Sequence, residues 1–98
     1  MAPLIAGIVE ACKEAGVERA TLFGSATQPG WDIVPRDIDL MIRMRSGLQG
    51  DAEGYFALLE RLRRLTGREV DLIDERAVRN PYLAAEIERT GVVIHEAA

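Results

Sequence analysis

Ninety-eight residues with a net charge of −4, of which 48% are apolar and 29% charged, provide one hydrophobic core and little more. The acidic balance argues against direct binding along a nucleic-acid backbone, which needs a positive surface, and no apolar run nears the roughly 18 residues of a membrane span. A single domain over residues 1–98 is expected, with a cytoplasmic address, because Met1-Ala2-Pro3 leads straight into a patterned helix without the basic stretch and cleavage site of a signal peptide.

Leu4, Ile5, Ile8, Val9 and Cys12 recur at helical spacing, and Gly16 stands where that helix ends. Cys12 is the single cysteine, so no intrachain disulfide forms, and its apolar neighbours make it a small buried hydrophobe. Residues 20–23 (Ala-Thr-Leu-Phe) read as a short buried strand, which puts Gly24-Ser25 where strand gives way to turn. Backbone N–H groups at such a turn can point at an anion. Residues 26–36 include Pro29, Gly30 and Pro35 and read as an irregular loop; its Trp31 suits either stacking on an adenine or partner surface, or covering the core edge. From there Ile38, Leu40, Ile42 and Met44 alternate with Asp37, Asp39, Met41 and Arg43, a strand with one face on a core and the acids on the other. Asp37 and Asp39 are two apart and project from the same face, so they offer hard oxygen ligands to one divalent ion such as Mg²⁺.

Residues 45–54 hold three glycines and a serine and read as a loop, after which Tyr55, Phe56, Leu58, Leu59, Leu62 and Leu65 form a broad helical stripe closed by Thr66-Gly67. Arg61, Arg63 and Arg64, with Glu60, read as the solvent side of that helix rather than as a basic patch. Glu69-Val70-Asp71-Leu72-Ile73 is a third strand, with Val70 and Leu72 on one face and Asp71 on the other. Asn80-Pro81 starts a last helix that Gly91 ends, and Val92-Val93-Ile94 adds a short strand. Tyr55, Phe56 and Tyr82 are expected in core packing, and His95, without a second His or Cys nearby, on the surface. The order helix, strand, strand, helix, strand, helix, strand predicts an α/β fold, a small mixed sheet packed with helices.

Three acids, Asp37, Asp39 and Asp71, leaving two strands close to a Gly-Ser turn, are what metal-assisted nucleotidyl transfer requires. Leu22-Phe23-Gly24-Ser25, an eleven-residue gap and Asp37-Ile38-Asp39-Leu40 resemble the signature of the DNA polymerase β-type nucleotidyltransferase superfamily. Gly67-Arg68-Glu69-Val70-Asp71-Leu72-Ile73 is similar to its third-carboxylate strand, and Arg79-Asn80-Pro81-Tyr82 with Gly91-Val92-Val93-Ile94 resembles the tail of its minimal members. The resemblance implies the polymerase β palm-like fold, with Asp37, Asp39 and Asp71 holding two Mg²⁺ ions, Asp71 also assisting deprotonation of the acceptor, and Gly24 with Ser25 binding the triphosphate of ATP. Minimal nucleotidyltransferases are commonly the antitoxin half of a two-gene pair whose other half is a helical HEPN ribonuclease toxin. The implied reaction moves AMP from ATP to a hydroxyl side chain of that toxin, and a protein partner or a homo-oligomer is expected because the chain is too short for an acceptor domain of its own. Relatives often carry Arg-Gly shortly after Gly-Ser, where this chain has Gln28 and Pro29, and Ser before the Asp pair, where it has Arg36. The alternative is an antitoxin that neutralises the toxin by contact without catalysis; transfer to a small molecule ranks below both.

Overall fold

The computed structural model describes residues 2–24 and 37–97, in the order α1 (Ala2–Glu14), β1 (Val17–Phe23), β2 (Asp37–Met44), α2 (Ala52–Thr66), β3 (Glu69–Asp74), α3 (Pro81–Thr90) and β4 (Val92–Glu96), with a 3₁₀ turn at Glu75–Ala77. The strands form one sheet in the order β3-β2-β1-β4. It is mixed, as expected: β1 runs antiparallel to β2 and to β4, while β2 and β3 are parallel, joined across α2. Among the described residues no helix is long and apolar enough to cross a membrane.

Alternation along β2 puts Ile38, Leu40, Ile42 and Met44 into the core, where they meet Ile8, Ala11 and Cys12 of α1, Leu58 and Leu62 of α2, and Val70 and Leu72 of β3. Two helices thus cover one face of the sheet, and the alternate residues Asp37 and Asp39 are left to the other. The two helices approach closely at Gly7, where a Cβ would stand 3.1 Å from a methyl of Leu65.

Two boundaries differ from the sequence reading. Strand β1 begins at Val17, not at residue 20, because a bulge between Val17 and Arg19 breaks the period-two pattern that marks a strand. Helix α2 begins at Ala52, inside the segment read as loop, because Asp51 caps it by accepting from the Gly54 N–H at 3.1 Å. Gly54 looks like a helix breaker, yet a Cβ there would stand 2.6 Å from the capping carboxylate. Asn80 caps α3 as expected, accepting from the Tyr82 and Leu83 N–H groups.

The aromatic and histidine expectations are corrected. Tyr55 is half-buried and donates its hydroxyl to the Leu72 carbonyl, but Phe56 and Tyr82 are 63% and 86% exposed. Each sits on the outer side of its helix, where apolar periodicity alone does not distinguish core from rim. His95 is half-buried on β4 with Nε2 3.1 Å from the Val17 carbonyl oxygen, so it is a strand-pairing residue more than a surface one.

Cys12 is fully buried, and burial pushes its thiol up from near 9 to about 12, with the Arg61 charge opposing part of that rise. Below pH 9 the thiol is protonated in both folded and unfolded chains, so its contribution to stability is complete. Between that pH and about 12 only the unfolded chain ionises, and stability falls as pH rises. The urea midpoint is therefore expected to drop on raising the pH above 9, and to drop less in Cys12→Ala; an equal drop in both contradicts the assignment. Thiol reagents are expected to label Cys12 only as the chain unfolds.

Candidate active site

The parallel register sets Asp39 beside Asp71 and Asp37 beside Glu69. Neighbouring strands lie about 4.8 Å apart, so four carboxylates share one end of one sheet face. They line a cleft of about 330 Å³ together with Val70 and Arg63. Asp37 and Asp71 are exposed, whereas Asp39 is half-buried. Burial pushes the Asp39 carboxyl above the usual aspartate range, and Asp71, Asp37 and Glu86 push it further in the same direction. Among the described residues the cleft lining holds four carboxylates and one cation, Arg63.

Gly24, at the end of β1, lies against Asp39. Its φ is +72°, a conformation that side chains disfavour, and a Cβ would stand 2.5 Å from Asp39 Oδ2. The glycine therefore allows the end of β1 to turn directly against the acid. Its N–H donates to Thr90 Oγ1 at 2.8 Å, and that hydroxyl in turn donates to the Glu86 carbonyl at 2.8 Å. Helix α3 thereby fixes the turn. Thr90 and Glu86 escaped the sequence reading, and no local signal marks them: a Thr before a helix-ending Gly bonds back to its own helix in many contexts. Gly24→Ala is expected to cost about 1–3 kcal/mol through strain and to displace the Asp39 carboxylate, lowering activity more than stability. Thr90→Val leaves the buried Gly24 N–H without this partner and is expected to cost about 1–3 kcal/mol. Urea melts of both variants check these figures.

Ser25 lies outside the described residues, as do Gln28, Pro29, Trp31 and Arg36. The arginines of α2 are exposed, as read from the sequence, but they divide in role. Arg61 pairs with Glu14 of α1 at 2.5 Å, while Arg63 turns to the acid cleft and stands 3.8 Å from Glu69. Arg43, on the acid-bearing face of β2, is engaged by Glu18 at 2.6 Å and by Glu75 at 3.6 Å.

An all-carboxylate donor set suits a hard divalent cation such as Mg²⁺ and disfavours soft metals. Burial first, and then the neighbouring acids, raise Asp39, and a bound cation would oppose that rise. Among the described residues, no group of three or more His, Cys, Asp or Glu is placed so that it could hold a metal ion as it stands.

A carboxylate face on two parallel strands beside a glycine turn is a candidate site in which acidic side chains are the dominant chemistry. Residues 7–98 match the polymerase β nucleotidyltransferase family, and the chain belongs to that family. Over 72 residues it is 33% identical to a protein of Methanocaldococcus jannaschii that bears a provisional protein-adenylyltransferase name, covering 74% of this chain and 71% of that protein. A solved structure provisionally named a minimal nucleotidyltransferase superposes with a TM-score of 0.62 at 25% identity, covering 93% of this chain and 89% of that one. The fold is also similar to a chain in the complex of a tri-AMPylated Shewanella oneidensis HEPN toxin with its MNT antitoxin, at TM-score 0.71 and 18% identity, covering 98% and 72% of the two chains. A toxin–antitoxin structure with AMP-PNP gives 0.71 at 21% identity, covering 95% and 73%.

Proposed function

We propose that this chain is a Mg²⁺-dependent nucleotidyltransferase that moves AMP from ATP onto a hydroxyl side chain of a HEPN-type ribonuclease toxin, and so acts as that toxin's antitoxin in the cytoplasm. The observation that carries the reading is the register of Asp39 with Asp71, beside Asp37 and against the Gly24 turn. The AMPylated toxin and the AMP-PNP complex among its structural relatives support the acceptor and the donor, and the adenylyltransferase name of a relative at 33% identity agrees. Residues 1–98 act as one unit in this reading.

Asp37 and Asp39 hold the metal from β2, and Asp71 completes the site from β3. When bound, the ions supply Lewis-acid stabilisation of the charge that builds on the phosphates. Gly24 and Ser25 form the turn that receives the triphosphate. The acceptor oxygen attacks the α-phosphorus, the bond from that phosphorus to the oxygen bridging the β-phosphate breaks, and pyrophosphate leaves. The hydroxyl proton passes to Asp71, which is exposed on the cleft rim and so open to an acceptor arriving from another protein. In this reading the acceptor side chain is carried by the partner protein.

Incubation with ATP, Mg²⁺ and the HEPN toxin is expected to raise the toxin's mass in steps of one adenylyl group. A double Asp37→Asn, Asp39→Asn variant adds nothing. If that variant still neutralises the toxin, contact alone suffices and the catalytic account of antitoxin action fails.

A further inference from the structure

We infer that Arg63 is the side chain that binds the triphosphate of the incoming nucleotide, exchanging its partner Glu69 for phosphate oxygens; the inference rests on the nucleotidyltransferase reading of the same cleft. Arg63 is the cation lining the cleft among the described residues, which it shares with Asp37, Asp39, Glu69 and Asp71. A nucleoside triphosphate entering so acidic a cleft is repelled unless cations offset the carboxylates. Divalent ions offset part of that charge, and a guanidinium contributes the rest with a fork that matches phosphate oxygens two at a time.

The geometry favours exchange. Arg63 Nη2 stands 3.8 Å from Glu69 Oε2, with the two side chains 45% and 76% exposed. Charge-assisted hydrogen bonds are shorter, about 2.7–2.9 Å, and exposed pairs contribute little, so releasing Glu69 costs little. Arg43 with Glu18 at 2.6 Å, Arg61 with Glu14 at 2.5 Å, Arg89 with Glu86 at 2.7 Å and Arg76 with Asp74 at 3.2 Å hold tighter partners, and Arg19 with Glu96 at 3.7 Å, away from the cleft, is held about as loosely as Arg63. The root of Arg63 is fixed even though its tip is loosely held. It lies in the last turn of α2, where its carbonyl accepts from the Gly67 N–H at 2.9 Å and closes the helix. A substitution of the side chain leaves that cap intact.

The test measures two ligands on the same protein. Wild type, Arg63→Gln, Arg63→Lys and Glu69→Gln are titrated with ribose-labelled fluorescent ATP in the presence of Mg²⁺, and separately with Mn²⁺ by paramagnetic resonance. Arg63→Gln is expected to weaken ATP binding by about tenfold or more, with Mn²⁺ binding equal to wild type or tighter, because a repelling cation has gone. Arg63→Lys falls between the two, and Glu69→Gln tightens ATP, a gain that shrinks when Arg63→Gln is also present. Unchanged ATP binding in Arg63→Gln overturns the assignment, as does parallel loss of ATP and Mn²⁺, which would mark a structural role. Wild type that binds Mn²⁺ but no ATP overturns the nucleotidyltransferase reading itself, an outcome distinct from wild type binding ATP without help from Arg63. Far-UV circular dichroism of Arg63→Gln is expected to match wild type.

Discussion

Asp39→Asn is expected to lower AMP transfer by about a thousandfold or more while the chain folds as before. Asparagine keeps the size and loses the charge that a divalent ion requires. Asp39 stands at the centre of the acid group, beside Asp71 across the parallel ladder and against the Gly24 turn. Its carboxyl is raised by burial and then by Asp71, Asp37 and Glu86, which means that its charged form works against folding at neutral pH. Metal-free Asp39→Asn is therefore expected to melt at or above the wild-type temperature. Added Mg²⁺ should stabilise wild type more than the variant, so the gap narrows or reverses. A variant that transfers AMP at a rate near wild type, or that unfolds, contradicts the assignment.

Leu40→Ala, one residue along the same strand, is expected to do the reverse. Leu40 is fully buried at the middle of β2, between Leu22 of β1 and Leu72 of β3. Truncating a buried Leu typically costs about 3–4 kcal/mol, against a total stability of roughly 5–15 kcal/mol for a domain of this size. The melting temperature should fall by about 12 °C or more, and activity should follow the folded fraction and return on cooling. Leu40→Met conserves volume and should cost less than about 1.5 kcal/mol. The pair of variants separates the two faces of β2: under the proposed function one carries chemistry at a cost in stability, and the other carries stability without touching the reaction. A Leu40→Ala melt within a few degrees of wild type would mean that the sheet is not packed as described.

Strict alternation made that division legible beforehand. Ile38, Leu40, Ile42 and Met44 announced a strand and a buried face, which left Asp37 and Asp39 together on the other, and Val70 and Leu72 did the same for Asp71. The pairing of Asp39 with Asp71 follows from a parallel crossover through α2, which the order of elements implied and the register makes specific. Irregularities were harder to read. The bulge after Val17 interrupts the period, and Gly54 resembles a breaker when it is a gap left for the Asp51 cap. Thr90, Glu86 and Arg63 reach the site only through tertiary packing, and nothing in their local sequence separates them from ordinary helix residues. Phe56 and Tyr82 illustrate the converse, since an aromatic on a helical stripe marks amphipathicity without fixing depth.

The most direct measurement of the central claim follows the phosphorus. The chain is incubated with Mg²⁺, the HEPN toxin and ATP labelled either at the α- or at the γ-phosphate, and the label on the toxin is counted. Nucleotidyl transfer from the Asp37, Asp39 and Asp71 face predicts that the α label appears on the toxin, that the γ label leaves as pyrophosphate, and that Asp39→Asn abolishes both. Gamma label on the toxin would show phosphoryl transfer instead, and no label with a toxin that is nonetheless neutralised would show that binding, not chemistry, is the activity of this chain.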